Sequence, residues 1–398
     1  MSRRVCLFTD SLEPSGVGEH MLTLAARLLG RYDLTVICPP TPAGNHLLGR
    51  ARSLGLGTLA ITVRDRNAEA PLMQWLGARR VDLFHCHAGI GWEGHHGIYA
   101  ARAAGVPKVV RTEHLPHVLT DLAQCLDHRR VVGLVDRVIC VSEEARGSFL
   151  RAGLAEEQLR VVRNGIETRP WRSLNGGGRA GVRPALRRGP RPREWGPLVL
   201  TVGRMVWQKG YQDLLEVVPG VLARWPGARF LWVGEGTLVG ELRARARALA
   251  VGHAVRFLGH RGDVPRLLAA ADLFVLPSHF EGLPLVALEA MAAGLPVVGT
   301  SVCGTSEVVL DMVTGRLVPP GDALALTEAI LGTLEEPGRA AQWGAAGRAR
   351  VEREFGAERM ARETVAVYDE LFHGAAGTLI DQHEVAPPQT RSLSAATG

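Results

Sequence analysis

The chain has 398 residues, 46% of them hydrophobic, with a mean hydropathy of +0.06 and a formal net charge of +6 at pH 7. That length exceeds what one hydrophobic core usually serves, so two domains are expected. No run of eighteen apolar residues occurs, which excludes a hydrophobic membrane-spanning helix, and the opening MSRRVCLFTD lacks the features of a secretory leader, so the cytoplasm is the expected location.

The first half alternates strand-like and helix-like segments. Val5–Thr9, Leu34–Pro39, Thr58–Val63, Asp82–His87, Lys108–Glu113 and Val135–Ser142 read as strands. Helical patterns fall between them, as in Glu19–Leu29, Ala70–Arg79 and Trp92–Ala104. A second series follows, with strands expected at Leu198–Gly203, Ala228–Gly234, Val255–Gly259, Leu273–Ser278 and Pro296–Thr300. Gln212–Ala223 and Leu238–Leu249 are helical between them. Near-continuous apolar strands alternating with helices imply parallel sheets covered on both faces. The fold class is therefore α/β, with two Rossmann-like doubly wound domains facing each other across a cleft. The expected division is 1–170, a linker at 171–197, 198–355, a last helix at 356–373 and a disordered tail at 374–398. The linker carries seven Arg against one Glu over Arg172–Pro197, with a Gly triplet at Gly176–Gly178. Such a stretch cannot build a core and reads as flexible.

The six cysteines are scattered and form no C-x-x-C, so reduced, buried thiols are expected. The basic balance fits a nucleic acid, an anionic membrane surface or an anionic substrate. Its carriers are uneven: of 46 Lys and Arg, only Lys108 and Lys209 are lysines. An ammonium and a guanidinium are not interchangeable in a tight phosphate pocket, so these two lysines stand out in an Arg-rich chain.

Several segments carry chemistry. Pro14–Glu19, PSGVGE, joins a strand to a helix, but its G-x-G lacks the third glycine of a dinucleotide loop. His85 and His87 share one face of a strand, with Cys86 opposite and His95 and His96 following on a helix. A metal needs converging ligands; the simpler expectation is that these histidines line the cleft. His114, in Thr112-Glu113-His114, ends a strand where open α/β sheets bind ligands. Val202–Gly210, VGRMVWQKG, places Arg204 and Lys209 in a loop between a strand and a helix, a sensible cradle for a diphosphate. Phe280–Gly294, FEGLPLVALEAMAAG, sets Glu281 before an Ala-rich helix and Glu289 inside it. Pro284 suits the first helical position, and the helix start favours an anion. Eight residues of helix rise about 12 Å, roughly the span from sugar to ribose in a nucleotide-sugar.

This last segment resembles the E-x7-E motif of the retaining glycosyltransferases of family 4. Val202–Gly210 likewise matches the family's G-R-x4-K-G pattern. The resemblance implies the GT-B fold, with an acceptor-binding first domain, a nucleotide-sugar-binding second domain and a last helix that crosses back to the first. It implies that Glu281 binds hydroxyls of the donor sugar, that Glu289 binds the ribose, and that Gly282, Leu283 and Pro284 lie against sugar and phosphates. Arg204 and Lys209, after Gly203, would neutralise the diphosphate. His114 matches the family histidine that faces the donor sugar. Gly16 fits the second glycine of a loop near the donor phosphate, while Ser15 stands where the first is expected. Gly234 and Gly236 match a turn beside the nucleotide, and His260 and Arg261 the loop flanking the base. Asn164-Gly165-Ile166 resembles a family signature read as a structural turn, with Glu167 in place of Asp. No cofactor and no metal are implied, since the UDP- or GDP-linked donor is a substrate. The acceptor would be a sugar, glycan or lipid, with no nucleic acid partner. The basic linker permits peripheral contact at the inner membrane face.

Rival readings are weaker on the residues. A nicotinamide-dependent oxidoreductase needs the complete G-x-G-x-x-G. A pyridoxal-dependent phosphorylase needs a Schiff-base lysine, and only Lys108 and Lys209 exist. A catalytically silent nucleotide-sugar-binding protein would not need Glu281, Glu289, Arg204, Lys209 and His114 all intact.

Overall fold

The computed structural model describes residues 2–173 and 196–374. Most of the expected linker and nearly all of the expected tail lie outside the described residues.

The first sheet has seven parallel strands: β1 (Arg3–Phe8), β2 (Tyr32–Cys38), β3 (Gly57–Ala60), β4 (Leu83–Ala88), β5 (Lys108–Glu113), β6 (Arg137–Cys140) and β7 (Leu159–Val161). Their spatial order is β3-β2-β1-β4-β5-β6-β7. The second has six: β8 (Leu198–Val202), β9 (Arg229–Val233), β10 (Val255–Phe257), β11 (Leu273–Leu276), β12 (Val297–Thr300) and β13 (Gly315–Val318), in the order β10-β9-β8-β11-β12-β13. Strands such as β4, β11 and β12 are buried along their whole length. This is the consequence of helices covering both faces of a parallel sheet.

Each sheet carries a separate apolar cluster on each face. In the first, Val5 and Leu7 point to one side with Met21, Leu24 and Leu28 of the helix Gly16–Leu28. Cys6 and Phe8 point to the other with Phe84 and Ile98. The alternation follows from the two-residue period of a strand. The last helix, Ala357–His373, returns to the first sheet: Met360, Ala361, Val367 and Tyr368 join the cluster of Val5 and Leu7. With Thr364 between them, Met360, Val367 and Tyr368 recur at helical three- and four-residue steps and make one buried stripe, and a fully buried large side chain contributes about 1.5–3 kcal/mol. Glu370 on the outer face accepts from Arg137 and Arg160, each at 2.6 Å, tying the helix to β6 and β7.

In both sheets the strand order reverses between the first strand and the fourth. β1 pairs with β4, and β8 pairs with β11. The connections leaving those strands run in opposite directions, which opens a crevice at their carboxyl ends.

Candidate active site

The loops at the reversal of the second sheet are the two charged segments of the sequence. β8 ends at Val202 and delivers Gly203, Arg204 and Lys209; β11 ends at Leu276 and delivers Ser278, Glu281 and the helix Leu285–Ala292. Lys209 Nζ donates to Glu281 Oε1 at 2.6 Å. Ser278 Oγ donates to the same oxygen at 2.6 Å. Glu281 is buried and Lys209 half-buried, so the pair holds a charged donor and a charged acceptor where water competes weakly. Gln208 donates to Phe280 O at 3.0 Å and His279 N–H to Gln208 O at 2.8 Å, so the two loops are stitched side by side. Arg204 is half-buried and forms no side-chain hydrogen bond or ion pair with the described residues. A guanidinium on the same loop as an ammonium suits an anion.

Pro284 is not the first helical residue. Its φ of −73° and ψ of 111° leave it extended, and the helix begins at Leu285. Only the stretch from Leu285 to Glu289 is helical, so the 12 Å span estimated from a continuous helix does not describe the path from Glu281. Glu289 is partly accessible. Burial, and then the charge of Glu19, push its carboxyl up to about 7.

Gly234 takes a φ of +130°, and a Cβ there would meet Gly203 O at 2.0 Å. Only glycine lets these backbones approach so closely. Gly234 N–H donates to Gly259 O at 2.8 Å, bringing the Gly234–Gly236 turn beside His260 and Arg261. Both of those side chains are exposed, and Arg261 is paired with Asp263 at 2.7 Å.

At the reversal of the first sheet lies a cluster of histidines. Gly16 opens its helix with an exposed face, and His20 follows one turn on. β4 supplies His85 and His87, and His114 follows β5. His87 Nδ1 lies 3.2 Å from His114 Nε2. The His20 ring meets the His114 ring edge-on at 4.6 Å. Burial pushes His20 down to about 4 and His85, His87 and His114 well below the usual imidazole range, so all four are neutral. The expectation that the whole histidine group lines the cleft is corrected. His85 is fully buried, held by Thr112 Oγ1 at 2.7 Å and Tyr368 OH at 2.6 Å. His95 pairs with Asp127 and His96 with Glu69, each at 2.7 Å. The six thiols are free, but Cys125 and Cys303 are half-buried, not buried as expected.

The two clusters touch. A Cβ on Gly282 would lie 1.9 Å from His114 O, so the Gly-Leu-Pro backbone rests against the histidine's own main chain. Asn164 bridges the halves: its amide donates to Leu283 O at 2.8 Å, and its oxygen lies 2.9 Å from His20 Nδ1. Sequence reasoning treated Asn164 as part of a turn and did not single out His20. His20 lies on the buried face of an amphipathic helix, and its partner is 144 residues away.

Residues 14–169 match the family described as Glycosyltransferase Family 4, and residues 196–336 the one described as Glycosyl transferases group 1. Alpha-maltose-1-phosphate synthase of Mycolicibacterium smegmatis is 30% identical over 395 residues, covering 92% of this chain and 98% of that protein. Glycogen synthase of Mycobacterium tuberculosis is 36% identical over 218 residues, which is 54% of this chain and 49% of that protein, so the chain spans about half the length of this relative. The crystal structure of Anabaena HepE in complex with UDP-glucose shares the fold, with a TM-score of 0.79 at 22% identity over 93% of this chain and 100% of that one. Both halves match, and one relative aligns along nearly its whole length; the chain belongs to the family 4 glycosyltransferases and has their GT-B fold.

Proposed function

We propose that the protein transfers a hexose-type sugar, with retention of configuration, from a nucleotide-diphosphate-sugar to a glycan or lipid-linked acceptor. The observation that carries this is the Lys209–Glu281 pair at 2.6 Å, with Arg204 on the same loop as Lys209, at the reversal of the second sheet. Residues 198–355 hold the donor and residues 1–170 receive the acceptor. Arg204 and Lys209 take the diphosphate, Glu281 the sugar hydroxyls and Glu289 the ribose. Gly203, Gly234, Gly236, Gly282, Leu283 and Pro284 give backbone approach, with Gly16 across the cleft and the His260–Arg261 loop near the base.

In the reaction the bond from the anomeric carbon to the phosphate oxygen breaks, and its electron pair leaves with the nucleotide. The acceptor oxygen bonds to the same face of that carbon and passes its proton to the departing phosphate. Positive charge fixed at that phosphate stabilises the developing anion. Neutral His114 offers a hydrogen bond to the sugar without repelling a cationic ring. The protein supplies position and charge, and no side chain need act as a nucleophile.

The test is a melting-temperature panel of UDP- and GDP-sugars, followed by a transfer assay with the sugar that stabilises the fold. Glu281→Ala and Lys209→Ala are each expected to lower kcat/KM by about 10²–10³-fold. The surface variant Arg339→Ala is expected to match wild type. Equal turnover in all three would remove the site assignment. Donor binding without turnover under any acceptor would favour the silent binding protein.

A further inference from the structure

The structure assigns His87 as a positioning residue that fixes the proton of His114 on Nδ1. The inference deepens the proposed role of His114 at the donor sugar and rests on that reading for its kinetic consequence, but not for its chemistry.

His87 is fully buried, and its Nε2 has no hydrogen-bond partner among the described residues. Its other nitrogen, Nδ1, lies 3.2 Å from His114 Nε2. Each neutral imidazole carries one proton, on one nitrogen or the other. With the proton on Nε2, His87 would bury an orphaned N–H. With the proton on Nδ1, the orphan is a bare nitrogen, and the proton is shared with His114. Buried orphaned donors are the rarer and costlier case. His87 therefore donates from Nδ1, and His114 Nε2 accepts. The single proton of His114 is then on Nδ1, which leaves a donor free for a ligand.

The surroundings hold this choice in place. Asn164 donates its amide to Leu283 O, so its oxygen must accept from His20 Nδ1. That fixes His20 in turn, and the His20 ring braces His114 edge-on at 81°. Behind His87, the His85 ring lies tilted by 32° with its centroid 4.1 Å away, and is itself held at both nitrogens by Tyr368 and Thr112. Among the described residues, His87 has no second hydrogen-bond partner. Nitrogens of His20, His87 and His114 also lie within 4.8 Å of one another, as ligands to a metal would. The 3.2 Å separation of His87 Nδ1 and His114 Nε2 is that of a direct hydrogen bond between the two rings.

The test combines histidine-ring ¹⁵N NMR on the full chain with two variants. His114 is assigned by the signal lost in His114→Gln. His87→Asn keeps an N–H where Nδ1 stood; His87→Leu removes it. The expected result is a His114 protonated on Nδ1 in wild type and in His87→Asn, and redistributed toward Nε2 in His87→Leu. On the proposed reaction, His87→Leu should lower kcat about tenfold or more with donor KM within about twofold, and His87→Asn should recover most of it. A wild-type His114 protonated on Nε2, or a spectrum unchanged in His87→Leu, would overturn the assignment. If His87→Leu fails to fold, the wild-type spectrum and His87→Asn still decide it. The expected proton shift with no kinetic change would support the assignment and count instead against His114 acting at the sugar.

Discussion

Glu289 has a carboxyl raised to about 7 by burial and, second, by the charge of Glu19, which itself pairs with Arg50. A carboxyl that holds its proton more tightly folded than unfolded contributes stability that is complete below its unfolded value of 4.5 and is lost as pH rises through about 7. The buried neutral histidines act in the opposite sense. Their contribution is present above 6.5 and is lost as pH falls from there toward their depressed folded values. The difference between wild type and Glu289→Gln therefore isolates the carboxyl. In urea titrations of the ligand-free protein, wild type should lose stability relative to Glu289→Gln between about pH 4.5 and pH 7. A constant difference across that window would contradict the assignment. An ionised carboxylate accepts from ribose hydroxyls more strongly than a neutral acid. Donor affinity is thus expected to rise through the same window in wild type and to stay flat in Glu289→Gln.

At the scale of elements, the loop Glu281–Pro284 is held from three sides: by Lys209, by Asn164 and by the main chain of His114. The Gly282→Ala substitution drives a Cβ to 1.9 Å from His114 O, and a Cβ on Gly16 meets nothing within 4 Å. Gly282→Ala is expected to cost about 2 kcal/mol or more and to abolish most transfer. Gly16→Ala should change stability by less than about 0.5 kcal/mol. Denaturant midpoints distinguish the two, and equal losses would show that the close approach is not limiting. The strands that frame these loops were legible because β1, β4, β8 and β11 are central and buried along most of their length, and hence mostly apolar. β7 and β13 were not. Each is a sheet edge of three or four residues that pairs on one side only, and LRV and GRLV carry no alternation long enough to read. Glu281, Lys209 and His114 could be singled out from neighbouring letters in the chain. The contacts of His20 and Asn164 could not, because they arise from residues more than a hundred positions apart.

Over the whole molecule, the chain returns from the second sheet to the first through the helix Ala357–His373, which starts beside Ile166 and ends against Arg3. Its apolar face packs on the first sheet. A chain ending at Gly356 would expose the apolar face that Met360, Val367 and Tyr368 cover. It is expected to aggregate or to lose its cooperative melt, measurable by size-exclusion chromatography and calorimetry. The milder Tyr368→Phe leaves His85 Nδ1 without its partner and should cost about 1–2 kcal/mol.

Lys209 is also a chemical handle in a chain that carries its positive charge almost wholly on arginine. Acylating reagents find only two side-chain amines along the chain, one of them clasped by the Glu281 carboxylate at 2.6 Å. An amine half-buried against a carboxylate is poorly accessible to a reagent, and a pyrophosphate seated over it would shield it further. The mass of a single peptide, compared with that bearing Lys108 as internal reference, would then report occupancy of the cleft without any turnover and before the acceptor is known.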